Sequence, residues 1–191
     1  MQNPKKETSI FDDLIKKIIP IIPKRVTPNH ITMLRLILIP ILILVFLFNH
    51  FLLAFIIFLI ASFSDAIDGA LARQRQMITK IGSALDPLID KILIIALIIL
   101  FAKCLPWQIV EILIISELAT IGGGYALHKN KKKIKANIFG KLKMNAEILG
   151  IILLFAKLIY KINYLDQVIT IIFLFVIIFS FTSFLKTLKD S

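Results

Sequence analysis

One cysteine in 191 residues, Cys104, cannot form an internal disulfide, so helix or strand packing alone must hold this fold together. Charge is also scarce: 18% of residues against about 25% in ordinary soluble domains. His30, His50 and His128 show no ligand spacing, and with a lone thiol they leave no cluster to compete for a soft metal. No apolar stretch with a small-residue cleavage site follows Lys5 and Lys6 before Pro20, so no removable leader is expected. Internal repeats and low-complexity segments are missing too, apart from the lysine-rich stretch 129–135, which argues for one domain rather than an array.

What is present in excess is oil. Apolar residues make up 58% of the chain, above the usual 45–50% or so, and they gather in long runs at 36–48, 51–63, 92–102, 148–156 and 168–181. A span needs about 20 residues to cross a hydrocarbon core about 30 Å thick, so each run must recruit its flanks. Doing so predicts helices at 29–48, 51–73, 82–102, 106–127, 139–160 and 165–185. The fold class is therefore an all-α integral membrane protein of six transmembrane helices. Asn49-His50 is so short a connection that the first two should form a tight antiparallel pair. Upstream, Phe11, Leu14, Ile15, Ile18 and Ile19 form an apolar stripe among Asp12, Asp13, Lys16 and Lys17, which predicts an amphipathic helix lying on the membrane surface. The expected organisation is an interfacial segment 1–27, a membrane domain 28–187 and a tail 188–191.

The net charge of +11 raises the question of nucleic acid, but the lysines cluster at the ends of apolar runs, so no nucleic-acid partner is expected. Lys16, Lys17, Lys24 and Arg25 precede the first span; Arg73, Arg75 and Lys80 separate the second and third; seven lysines from Lys129 to Lys143 separate the fourth and fifth. The other side has only Lys103, Lys157 and Lys161. By the positive-inside rule both termini and the basic loops face the cytoplasm, in the cell membrane.

Four aspartates at membrane depth demand a role. Asp65 and Asp68 are three apart, and Asp86 and Asp90 four apart, so each pair shares a face of its own helix. Asp65 lies 14 residues from Phe51 and Asp90 lies 13 from Lys103, while Asp68 and Asp86 each lie 17 from those ends. Antiparallel spans would set them in two facing rows. An aspartate at mid-helix costs about 2.5–3.5 kcal/mol even on a lenient insertion scale. A shared cation relieves that cost, and carboxylate oxygens select Mg²⁺, Ca²⁺ or Mn²⁺. Pairing with Arg73, Lys80 and Lys91 is the alternative that needs no metal. Gly69, Ala72 and Gly82 leave room beside the carboxylates, either for close packing or for a ligand.

The pattern Asp65-x2-Asp68-Gly69-x2-Ala72-Arg73-x8-Gly82-x3-Asp86-x3-Asp90 fixes eight positions in 26 residues. It resembles the signature of the CDP-alcohol phosphatidyltransferase family, whose six-helix scale also fits. That resemblance implies an enzyme that transfers a phosphatidyl group from CDP-diacylglycerol to a small alcohol and releases CMP. It implies two divalent ions, Mg²⁺ or Mn²⁺, on Asp65, Asp68, Asp86 and Asp90, with Asp90 also the base for the acceptor hydroxyl. Thr32, Asp65, Gly69, Ala72, Arg73 and Gly82 would meet the CDP-lipid, membrane lipids would surround a homodimer, and the reaction would serve phospholipid biosynthesis.

Asn29-x2-Thr32-x2-Arg35 and Gly140-Lys141-x-Lys143 resemble segments of the branch whose acceptor is glycerol 3-phosphate, although Ser116 stands before Glu117 where that branch often has arginine. A phosphorylated alcohol needs cations, and Arg35, Lys141 and Lys143 are the candidates, expected at the cytoplasmic interface. Headgroup anchoring is their alternative role. Phosphatidylglycerol, serine and inositol phosphate are the rival acceptors. Glu117 and Glu147 are expected to face the interior and pair with Arg35 or Lys141, or to line a polar cavity. An ion or proton transporter would also keep carboxylates in a bundle, but the repeats with broken helices that it calls for are not seen.

Overall fold

A computed structural model describes residues 27–75, 80–129, 138–162 and 164–189. They form six α-helices, with no strand among the described residues: α1 (Pro28–Leu47), α2 (Phe51–Arg75), α3 (Lys80–Leu100), α4 (Trp107–Lys129), α5 (Ile138–Tyr160) and α6 (Leu165–Lys189). A single 3-10 turn, Ala102–Cys104, follows α3. The expected surface helix at 10–22 lies outside the described residues. Contacts divide the chain into two compact units, Met1–Leu42 with Ile56–Asp90, and Ile43–Phe55 with Lys91–Ser191.

Helix ends follow from local chemistry. Pro28 occupies the first turn of α1, where a missing N–H costs nothing, and the Thr27 N–H donates to His30 Nδ1 at 3.3 Å. His30 thus serves the start of a helix. At the other end Asn49 takes a left-handed φ of 62°; its N–H donates to the Phe46 carbonyl at 2.9 Å and the His50 N–H to that of Val45 at 3.1 Å. This double bond closes a helix by satisfying carbonyls left open in its last turn, and asparagine tolerates the required φ.

The end of α5 is built in the same way on a worse residue. Lys161 has φ 54°, and the Ile162 N–H donates to the Lys157 carbonyl at 3.1 Å. A side chain other than Gly or Asn in this region costs about 1–2 kcal/mol, part of which glycine returns as lost chain entropy. Lys161→Gly should therefore stabilise the protein by about 0.5–1 kcal/mol, read as a higher Tm in detergent, whereas Asn49→Gly should gain less.

Around a mostly apolar core, burial departs from that of a soluble protein at both extremes. Leu36, Ile37, Leu44, Ile112, Ile115, Leu118, Leu149, Leu174 and Ile178 are exposed, while Arg35, Glu117, Lys143 and Glu147 are buried. The apolar stretches His30–Leu47 and Leu165–Lys186 are long enough to cross a bilayer, yet only 28% and 17% of their residues are buried. The core helix of a soluble protein would bury most of such a stretch; these present it outward, as a membrane protein does.

Within the second unit, phenylalanines from four segments meet. Phe46 of α1 stacks edge-on with Phe51 of α2 and with Phe101 just beyond α3, at centroid distances of 5.2 and 5.0 Å. Phe155 of α5 joins Phe101 at 4.9 Å and Phe55 at 5.3 Å. Such pairs add about 0.5–1.5 kcal/mol each beyond their buried area. Helices α5 and α6 approach closely where Gly150 faces the buried Phe173: a β-carbon there would meet the ring at 2.8 Å. Gly150→Ala should lower stability by about 1–3 kcal/mol, with partial recovery when Phe173→Leu is added; thermal melts of the single and double variants test this.

Candidate active site

The first unit holds all four aspartates of the sequence pattern: Asp65 and Asp68 in α2, Asp86 and Asp90 in α3. Both segments are continuous helix, so the three- and four-residue spacings that pair the carboxylates by position are kept. The side chains of Asp65, Asp68, Gly69, Ala72, Arg73, Gly82 and Asp86 lie outside the described atoms.

Asp90 is described, and one partner is a cation that the sequence pattern did not offer to the aspartates. Arg35 Nη1 of α1 donates to its Oδ1 at 2.5 Å. The guanidinium is fully buried, and its Nε donates to Ser64 Oγ at 3.3 Å. Ser64 Oγ donates in turn to the Ala61 carbonyl at 2.7 Å, so the residue before Asp65 is anchored to its own helix. Thr32, one turn before Arg35 on α1, is buried as well. A rigid planar fork held at one nitrogen and bonded at another fixes the direction of the carboxylate it meets. The Asp90 side chain remains 37% exposed despite that bond.

The side-chain types of the pattern suit a hard divalent ion: four carboxylates with no nitrogen or sulfur donor, carried by two helices of one unit, of which the described one, Asp90, still opens to solvent. Arg35, expected at the interface as an acceptor ligand, is instead interior and bonded to Asp90.

The second unit has its own buried polar cluster. Glu117 of α4 receives Lys91 Nζ at 2.6 Å on Oε2 and Lys143 Nζ on Oε1. Lys143 also lies 3.5 Å from Glu147 Oε1, one turn along α5. Two ammonium groups thus face two carboxylates. The expected pairing of Glu117 and Glu147 with Arg35 or Lys141 is corrected here. Arg35 is engaged within the other unit, and Lys141 stands two residues from Lys143, about 200° around the helix, where it is exposed. Lys143 and Glu147, four apart, share the inward face. Ser116 donates to the Leu113 carbonyl at 2.9 Å and so satisfies itself within α4.

The sequence points to the aspartates, with Lys91 only among the alternative partners that need no metal, and it gives Ser64 no part; Lys91 instead meets Glu117. Arg35 as the one arginine or lysine of a mostly apolar α1 was the available signal: a buried cation must find an anion, and the aspartates were the abundant choice.

Known proteins resemble this chain over most of its length. The model of the CDP-alcohol phosphatidyltransferase family matches residues 25–182. The CDP-diacylglycerol–glycerol-3-phosphate 3-phosphatidyltransferase of Bacillus subtilis (strain 168) is 33% identical over 141 residues, covering 65% of this chain and 73% of the relative. The proteins of the same name from Blochmanniella floridana and Wigglesworthia glossinidia brevipalpis are 33% identical over 140 residues and 31% over 171. These alignments cover 69% and 85% of this chain, and 74% and 91% of the relatives. The chain belongs to the CDP-alcohol phosphatidyltransferase family, and it is an enzyme of membrane lipid synthesis.

Proposed function

We propose that this enzyme transfers the phosphatidyl group of CDP-diacylglycerol to glycerol 3-phosphate and releases CMP, from the cytoplasmic face of a six-span bundle that works as a homodimer. The observation that carries the reading is Asp90, fixed by the buried Arg35 in the unit that bears the eight-position signature. The names of the three relatives support glycerol 3-phosphate as acceptor.

In this mechanism the Asp90 carboxylate takes the proton of the acceptor hydroxyl, and Arg35 holds that carboxylate in the direction of attack. The hydroxyl oxygen forms a bond to the phosphorus that carries the diacylglycerol, and the bond from that phosphorus to the oxygen of CMP breaks. Asp65, Asp68, Asp86 and Asp90 would hold two divalent ions, Mg²⁺ or Mn²⁺, which when bound neutralise the pyrophosphate and stabilise the departing CMP. Thr32, Gly69, Ala72, Arg73 and Gly82 would bound the CDP-lipid. Among the acceptor candidates, Lys141 is the exposed one, in the first turn of α5, while Lys143 is held between Glu117 and Glu147.

CMP release by the purified protein, with CDP-diacylglycerol and either ion, should require glycerol 3-phosphate. Phosphatidylglycerol, serine, inositol and inositol phosphate are offered separately; turnover with one of these instead reassigns the acceptor and keeps the chemistry. Absence of CMP release with every acceptor would overturn the reading in favour of transport.

A further inference from the structure

The turn between α3 and α4, Lys157 of α5 and the first turns of α6 border an open cavity of about 600 Å³ within the second unit. Lys103, Lys157, Gln167 and Thr170 supply its polar wall, and Leu105, Pro106 and Ile171 its apolar one. Lys157 is 16% exposed and bonded to Asp166, whereas Lys103 is exposed and has no ion-pair partner among the described residues. Two ammonium groups against one carboxylate leave an excess positive charge, beside an amide and a hydroxyl able to donate. None of these residues belongs to the unit of the aspartates.

The apolar wall does not stop at the cavity. Ile171 is exposed, and three or four residues apart along α6 come Leu174, Phe175 and Ile178, all exposed. These steps keep one helical face, so an uncovered hydrocarbon stripe runs from the basic pocket along the helix. A soluble anion would match only the basic end. A ligand with a phosphate and an attached chain matches both, and a basic recess at the end of membrane helices is suited to such a headgroup.

We propose that this cavity binds the phosphate of an anionic phospholipid, with Lys103 as the principal contact and an acyl chain against the face of α6 that carries Ile171 and Ile178. The protein supplies its own reporter, because Cys104, the sole cysteine, lines the cavity. Burial raises its thiol pKa, Lys157 lowers it and Asp166 raises it again, so labelling is run at mildly alkaline pH.

The test compares the rate at which an uncharged reagent alkylates Cys104 in nanodiscs of phosphatidylcholine alone and of phosphatidylcholine with phosphatidylglycerol. Phosphatidylglycerol should slow alkylation several-fold, and Lys103→Gln should remove that protection; native mass spectra should lose one retained anionic lipid in the same variant. A control thiol is placed by Tyr164→Cys in a Cys104→Ser background, on the exposed α5–α6 turn outside the cavity. Equal slowing there would mean a surface-charge effect and overturn the proposal. So would full protection by inorganic phosphate in neutral discs, which would mark a free-anion site, or an unchanged rate with phosphatidylglycerol.

Discussion

Asp90→Asn should reduce phosphatidyl transfer by about 10²–10⁴-fold, the usual contribution of a positioned base. Asparagine keeps the length of the side chain and an oxygen for Arg35 Nη1, so the α1–α3 bond and the local packing persist. What disappears is the negative charge and the capacity to accept the hydroxyl proton. CDP-diacylglycerol binding, followed by displacement of a labelled CDP-lipid, should stay within a few-fold of the parent. Arg35→Gln is the informative companion: it leaves the base in place but removes the fork that aims it, so it should lower kcat with less effect on the KM for CDP-lipid. Unchanged turnover in Asp90→Asn would remove the base assignment.

The second large effect is on stability. Glu117 is fully buried and receives both Lys91 and Lys143. Glu117→Ala leaves two ammonium groups, one of them almost completely buried, to share the single carboxylate of Glu147. Removing one partner of a buried ion pair costs about 3–5 kcal/mol, because the remaining charge loses its compensation. Lys91 is 21% exposed and can turn partly to water, so most of the penalty falls on Lys143. Adding Lys143→Met to Glu117→Ala should recover part of the loss, and melts of the four corners of that cycle measure the coupling. A loss below about 1 kcal/mol in the single variant would show that water reaches the cluster.

The helices were legible because hydrocarbon runs and turn residues are local properties. The predicted boundaries at 29–48 and 139–160 lie within one residue of α1 and α5, and Asn49-His50 was recognised as a break. The structure adds the reason, a left-handed Asn49 that closes the last turn of α1. The aspartate pattern was legible because its spacing is helical and its charge is out of place beside apolar runs. Partner choice was not, since it depends on helix rotation: Lys91 turns to Glu117, Arg35 takes Asp90, and Lys141 is separated from Lys143 by half a turn. Gly150 carries no sequence cue either, as its meaning comes from a phenylalanine 23 residues away on another helix.

The phenylalanines of the second unit have a consequence in time rather than in space. Phe46, Phe101 and Phe155 interlock the end of α1, the residues just past α3 and the C-terminal part of α5, and local opening there must part several rings at once. Amides beside these rings should therefore exchange their hydrogens for deuterium later than those in the turn at Asn49, giving the second unit a slow kinetic centre.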